Sequence, residues 1–253
     1  MKSYAKANIF LKIIGFDDRN YHLLSSRFIL LENLYDELFL VNEKQSDGFE
    51  ILSDFKCEDN IIAKAFKLLC QKGYQKELEE LFSQKSLKLI KNIPTCAGLG
   101  GGSSNCATFL KMINETLNLK LSKENLIQMS VALGSDIAFF LSDFKSANVG
   151  GCGEIVQEFE DDLVELEWTF PDIACQTQAV YKEFDLSSFD LNQNLKQAQI
   201  YEKLSTKELL SYKNTALNDL FIPCVSLYPK MSFFLTQNYF LSGSGSSVFK
   251  VKQ

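Results

Sequence analysis

Between Pro94 and Ile113 the chain reads PTCAGLGGGSSNCATFLKMI, with four glycines inside five residues (Gly98 and Gly100 to Gly102), then Ser103, Ser104 and an apolar-periodic run. Glycine costs more backbone entropy to order than any other residue, so a cluster this dense answers a geometric demand. The preceding KSLKLIKNIP reads as a short strand ended by Pro94. Beyond the glycines, Cys106, Leu110, Ile113 and Leu117 share one face of a helix expected from Ser103 to Leu117. Strand, glycine turn and helix together form a phosphate receptor. The first amides of a helix lack intrahelical partners, and the macrodipole leaves partial positive charge there. Glycines let the backbone curl toward a polyphosphate without Cβ clashes. Ser103 and Ser104 add hydroxyls that can donate to phosphate or reach a Mg²⁺ carried by the nucleotide. The plainer alternative, a tight turn capped by serine, needs only one or two glycines. No Gly-Lys-Ser/Thr follows, so this is not a P-loop, and Ser103 stands where a dinucleotide fingerprint needs its third glycine.

Composition narrows the partners. The 26 basic and 32 acidic residues leave a net charge of −6, which argues against a partner nucleic acid bound through a broad basic surface. Seven cysteines (Cys57, Cys70, Cys96, Cys106, Cys152, Cys175, Cys224) never fall as C-x-x-C, and His22 is the only histidine. A classical zinc site has almost no material, and free thiols in a reducing compartment are the better reading. Lys12 interrupts the early apolar stretch, no small-residue cleavage site follows before DDRNYH, and no apolar run approaches the ~20 residues of a membrane span. The expectation is a soluble, cytoplasmic protein that does not engage membranes.

Along the chain, Ile9 to Ile14 reads as a strand broken by Gly15 and the turn DDRN; HLLSSRFILL follows, and DELFLV reads as a separate strand. Asn60 to Gln71 has helical spacing with Gly73 as its stop, and a further helix starts near Ser122 and ends at Gly134. EWTFPDIACQT is strand-like, and two helical stretches lie around Gln193 to Tyr212. The mixed order predicts an α+β fold in two domains, residues 1–145 with the phosphate loop and 146–253 closing the substrate site.

The string P-x-x-x-G-L-G-G-G-S-S-N resembles the central phosphate loop of the GHMP kinases. Two more stretches agree in that family's order: AKANIFLKIIGFDDRNYHLLSS (Ala5 to Ser26) and the glycine turn LSGSGSSVF (Leu241 to Phe249). The first is similar to the branch that phosphorylates the 2-hydroxyl of 4-diphosphocytidyl-2-C-methyl-D-erythritol on the non-mevalonate route to isoprenoids. The resemblance implies a two-domain fold, with an N-terminal ribosomal-protein-S5-like domain and a shortened ferredoxin-like C-terminal domain. It also implies ATP and Mg²⁺ as cofactors and a monomer or weak homodimer.

Residue by residue, the resemblance implies that Asp136 is the catalytic carboxylate and Lys6 its partner. Phosphoryl transfer to an alcohol independently needs a proton acceptor and cations against the phosphate charge. A lysine cation beside a carboxylate weakens it as a base, so such a group orients the hydroxyl as much as it deprotonates it. Pro94, Gly98, Leu99, Gly100, Gly101, Gly102, Ser103 and Ser104 would bind ATP, with Gly243, Ser244 and Gly245 as a supporting loop. Asn8 would contact substrate, while Tyr21, His22 and Tyr181 would clamp a cytosine, whose flat face invites stacking and whose edge invites hydrogen bonds. No metal ligand is assigned beyond Ser103 or Ser104.

Three departures stand out. Asn20 replaces the branch's usual glycine before Tyr-His but tolerates left-handed backbone. Cys96 makes the loop entrance bulkier. Ala138 replaces a proline beside Asp136, which should loosen that loop. Two other readings remain open: a homoserine- or mevalonate-type kinase, and a catalytically silent nucleotide-binding regulator.

Overall fold

The computed structural model describes residues 1–55, 60–162 and 164–252; Cys57 lies outside them. The chain forms two compact units, one of Met1–Ala5, Leu31–Ile93 and Gly101–Asp143, the other of Lys6–Leu30, Pro94–Gly100 and Phe144–Gln253. Strands β1 (Lys2–Phe16) and β2 (His22–Val41) contribute to both, and the division also falls within the glycine stretch.

In the first unit, β3 (Ile51–Leu52) pairs in parallel with β4 (Ser86–Ile90), and β4 pairs antiparallel with the end of β2, Leu38 opposite Leu89. Its helices are α1 (Ile61–Leu69), α2 (Gln75–Gln84), α3 (Gly101–Thr116), α4 (Lys123–Ser130) and α5 (Ile137–Ser142). Asn60 caps α1 by accepting from the Ile62 amide, and Ser122 caps α4 in a reciprocal box with Asn125. Gly73, at φ 99°, breaks the helix as expected. The chain then restarts as α2, which buries Leu78 and Phe82. Phe49 stacks on Phe66 at 4.2 Å and meets Phe82 edge-on at 4.8 Å, tying α1 and α2 to the core.

Strand β2 is one continuous strand of twenty residues rather than two. Its polar middle is held by pairing and by Asp36, whose carboxylate accepts from the amides of Asn92 (2.7 Å) and Ile93 (2.8 Å) and pairs with Lys91.

In the second unit, β5 (Ser146–Gly150) pairs antiparallel with β2, Phe28 opposite Ala147, and with β6 (Ile155–Glu158). A second sheet has the order β7 (Leu166–Thr169), β9 (Val248–Val251), β8 (Phe240–Leu241). Of EWTFPDIACQT only Glu167 to Thr169 lie in a strand, β7, as Pro171 then removes a ladder donor. Helices α6 (Thr177–Asp185), α7 (Leu191–Tyr201), α8 (Thr206–Leu209), α9 (Asn214–Leu217), α10 (Phe221–Leu227) and α11 (Ser232–Thr236) complete the unit. Leu11 and Ile13 of β1 join one core with Val180 and Phe184 of α6 and Phe221 and Cys224 of α10. Ile9 and Phe10 join another with Tyr201, Leu209 and Phe249. A strand sandwiched between two cores reads as the near-continuous apolar run seen in its sequence.

Candidate active site

The glycines of the loop meet different demands. Gly98 has φ 74°, and a Cβ there would collide with the carbonyl oxygen of Ser242 and lie 3.2 Å from that of Gly245. What crowds Gly98 is therefore the second glycine turn of the chain. Gly243, at φ 55°, is crowded in return, a Cβ falling 3.2 Å from the Gly98 oxygen and 3.3 Å from Asn8 Oδ1. The amides of Lys6 and Ser247 donate to the carbonyls of Leu99 (3.0 Å) and Ala97 (3.2 Å), so β1 and the second turn hold the loop from both sides. Ser244 Oγ lies 2.9 Å from Thr177 Oγ1 at the start of α6. Pro94 begins this segment, and Cys96 adopts φ 53° in an exposed position, so its side chain points where bulk costs little.

Gly101 and Gly102 open α3, two residues earlier than the sequence pattern predicts. A Cβ on Gly101 would press on Ile93 at 3.0 Å and on Lys91 Nζ at 3.3 Å. At Gly102 the nearest atom is Ile61 Cγ2 at 3.9 Å, so this position is open. Ser104 is buried, with its hydroxyl 2.8 Å from that of Ser3, which also donates to Asn105 Oδ1 at 2.7 Å. Ser103 is half-buried in the first turn. In the same unit a groove is lined by Phe49, Ile51, Phe55, Asn60, Lys88 and Lys91, residues to which sequence reasoning gave no site role. Lys91 links this groove to Gly101, and only that proximity marks it.

Lys6 is buried, its Nζ donating to Asn8 Oδ1 (2.6 Å) and to the Gly98 carbonyl (3.2 Å) and lying 4.5 Å over the Phe28 ring. The strand expected from Ile9 begins at Lys2, so Lys6 and Asn8 lie within β1 at i and i+2, on one side of it. Asn8 Nδ2 donates to Ser26 Oγ at 2.9 Å, and the Asn8 amide donates to Ser242 Oγ at 3.2 Å, so one network runs from β1 to both glycine turns.

Asp136, in the first unit, holds the N-cap position of α5 at φ −73°, yet its side chain makes no capping bond. It is half-buried at the start of a helix whose six residues are all buried. Ala138 is the second residue of that helix and 1% exposed, so the missing proline leaves the segment helical instead of loosening it. A proline would have been tolerated in this first turn for the same reason that alanine suffices.

Asn20 adopts φ 65°, the left-handed geometry expected of it. The turn is closed by Asp17, whose Oδ1 accepts from the amides of Tyr21 (2.8 Å) and Arg19 (2.9 Å). The Tyr21 amide, followed by the Arg19 contacts, holds the Asp17 carboxyl below its ordinary value. Tyr21 is 61% exposed, with the Arg19 guanidinium 5.1 Å over its ring. His22 and Tyr181 come together, with ring centroids 4.9 Å apart. Sequence reasoning missed the third partner: Asp185 Oδ1 lies 2.7 Å from His22 Nε2.

Among the described residues, no three His, Cys, Asp or Glu side chains are grouped to hold a metal ion. Mg²⁺ usually keeps phosphate and water ligands and takes few from protein. The hydroxyl-bearing first turn of α3 fits a cation delivered on a polyphosphate. No described helix is long and apolar enough to cross a membrane.

Residues 60–143 match the model of the GHMP kinase N-terminal domain. The whole chain superposes on a solved 4-(cytidine 5'-diphospho)-2C-methyl-D-erythritol kinase with TM-score 0.73 at 24% identity, covering 90% of that chain. It superposes on a mevalonate kinase with TM-score 0.64 at 12% identity, covering 100% of this chain and 91% of that one. The α+β fold is that of a GHMP kinase. In sequence, 99% of the chain is 68% identical to 99% of the 4-diphosphocytidyl-2-C-methyl-D-erythritol kinase of Campylobacter jejuni. The whole chain is 41% identical to 96% of the enzyme of that name from Sulfurimonas denitrificans. The chain belongs to the 4-diphosphocytidyl-2-C-methyl-D-erythritol kinase family.

Proposed function

We infer that the protein transfers the γ-phosphoryl group of ATP to the 2-hydroxyl of 4-diphosphocytidyl-2-C-methyl-D-erythritol, a step of the non-mevalonate route to isoprenoid precursors. The observation that carries the reading is 68% identity over 99% of both chains to a kinase of that name. The site residues support it chemically. We assign the ATP phosphates to the amides of Gly101 to Ser104, where α3 begins and its dipole favours anions. Pro94 and Gly98 to Gly100 shape the approach, with Gly243 to Gly245 behind them. The nucleoside end of ATP would use the groove beside Lys91.

The substrate hydroxyl oxygen attacks the γ-phosphorus, the bond to the ADP oxygen breaks, and Asp136 orients the hydroxyl and takes its proton. Lys6, held by Asn8 and Gly98, supplies positive charge to the equatorial oxygens. The Ser103 hydroxyl would hold Mg²⁺, which when bound would supply positive charge against the polyphosphate. Ser104, turned toward Ser3, is the weaker candidate of the two. Among the described residues, Asn8 spends one side-chain donor on Ser26 and one lone pair on Lys6, so an amide hydrogen and a lone pair would serve substrate. Tyr21 and Tyr181 would stack on the cytosine while His22 reads its edge. In this division residues 1–145 carry phosphate loop and carboxylate, and 146–253 close the substrate site. We place the enzyme in the cytoplasm, acting on small molecules as a monomer or weak homodimer, without nucleic acid or membrane.

The test is ADP release with ATP and Mg²⁺ when the cytidyl substrate, homoserine or mevalonate is offered, with Asp136→Asn alongside. Turnover on the cytidyl substrate alone, falling by ~10²-fold or more in the variant, is the expected result. Turnover on another alcohol would keep the phosphoryl chemistry and discard the cytosine clamp. ATP binding without turnover on any alcohol would make the chain a silent regulator.

A further inference from the structure

Helix α6 presents Tyr181, Phe184 and Asp185 at i, i+3 and i+4, a spacing that puts all three on one face. That face meets His22. The imidazole centroid lies 4.9 Å from Tyr181 and 5.9 Å from Phe184, with Phe16 of β1 at 4.9 Å. Among the described residues, the hydrogen-bond partner of the ring is Asp185, through Nε2 at 2.7 Å. The His22 side chain is 15% exposed and that of Asp185 42%, so the ring sits inside while the carboxylate stays in contact with water. Three aromatic rings fix where the imidazole lies, and only the carboxylate fixes which nitrogen bears the proton.

We propose that Asp185 is a positioning residue that locks His22 in the Nε2–H tautomer and thereby makes the site select a pyrimidine bearing an exocyclic amino group. An ionised carboxylate only accepts hydrogen bonds, so Nε2 carries the proton. In the neutral ring the other nitrogen, Nδ1, is then an acceptor. Cytosine offers an N4 amino donor to such an acceptor. Uracil offers a carbonyl oxygen at the same place, and two acceptors face each other. A site built to pair with a substrate donor rejects the analogue that lacks it, because its own polar atom is left unpaired. The proposal rests on the reading of His22 as the group that faces the base.

Because His22 is the only histidine, its ring gives an unambiguous signal in a long-range ¹H–¹⁵N spectrum of labelled protein. The wild type should show a single Nε2–H tautomer. Asp185→Leu removes the acceptor at similar volume, and the spectrum should then show a tautomer mixture. In the same variant the KM for the cytidyl substrate should rise about tenfold, as expected for one lost hydrogen bond to a positioned ring. The kcat and the KM for ATP should stay within about twofold. Preference for the cytidyl over the uridyl substrate should narrow by a similar factor, and Asp185→Asn, which keeps an acceptor oxygen, should recover part of it.

His22→Phe, which retains a flat ring without nitrogens, separates the two levels of the reading. If His22→Phe raises the cytidyl KM while Asp185→Leu changes neither tautomer nor KM, His22 reads the base unaided and the role of Asp185 is overturned. If neither variant alters KM or base preference, the cytosine reading itself fails. Equal loss of kcat and ATP affinity in Asp185→Leu would mark a purely structural contact and also overturn the proposal.

Discussion

Gly98 and Gly102 belong to one glycine-rich stretch and serve opposite ends. Gly98 is crowded by backbone, with a left-handed φ of 74° and the Ser242–Gly245 turn where a side chain would go. Gly102 is open, its nearest neighbour a methyl carbon at 3.9 Å on the first turn of α3. A glycine with the protein against it maintains the fold. A glycine with nothing against it, at a helix N-terminus, leaves open space, which we assign to the phosphates of ATP. In sequence the two are indistinguishable, and a reading that treats every glycine of the loop alike merges two environments that the structure separates.

Substitutions can break that distinction. Gly98→Ala should have the largest effect on stability: a left-handed alanine costs roughly 1–2 kcal/mol, and the collision with Ser242 adds to it. A melting temperature lowered by about 5–10 °C, measured calorimetrically, is the expected outcome. Gly243→Ala meets softer resistance, at 3.2–3.3 Å from Gly98 O and Asn8 Oδ1. It should cost roughly 1–2 kcal/mol and, by displacing Asn8 from Lys6, lower kcat as well. Gly102→Ala should leave the melting temperature unchanged or slightly raised, since alanine is the better helix former by roughly 0.5–1 kcal/mol. The same change should raise the KM for ATP about tenfold, through lost approach of phosphate to the helix amides. A Gly102→Ala protein that unfolds early while still binding ATP normally would reverse the assignment.

The smallest expected effect lies away from the loop. Ser86 (2.5 Å), Ser46 (2.7 Å) and the Gln45 amide (2.9 Å) donate to Glu50, and these bonds, the Ser86 one foremost, hold its carboxyl down to about 2. A carboxyl lowered on folding stabilises the native state above its ordinary value of 4.5, and that contribution disappears as pH falls toward 2. Urea midpoints of wild type and Glu50→Gln should therefore differ most near neutral pH and converge in acid. A constant difference across that range would show that the carboxylate is not responsible.

Much of this was legible where local chemistry decides the outcome. Asn20 takes the left-handed turn that glycine would take, Ser122 caps α4, Gly73 breaks its helix, and the glycine stretch leads into α3. Tertiary effects decided the rest. The polar middle of β2 argues for a break, but Asp36 gains two backbone amides and Lys91 by continuing the strand. Helices α2 and α6 carry few apolar residues and are stabilised mainly by burying Leu78 and Phe82, or Val180 and Phe184, against surfaces distant in sequence. The same holds at the site. Lys6 and Asn8 were each marked by the resemblance, whereas nothing local marks Asp185, 163 residues from the histidine it contacts.

The most direct measurement is the backbone ¹H–¹⁵N spectrum of the labelled protein, recorded as a non-hydrolysable ATP analogue and Mg²⁺ are added. The amides of Gly101, Gly102 and Ser103 should shift most, as α3 receives the phosphates, while Gly98 and Gly243, already packed against each other, should move little. Large shifts at Gly98 and Gly243 with the start of α3 unmoved would contradict the division between the glycine that builds the site and the glycine that leaves it open.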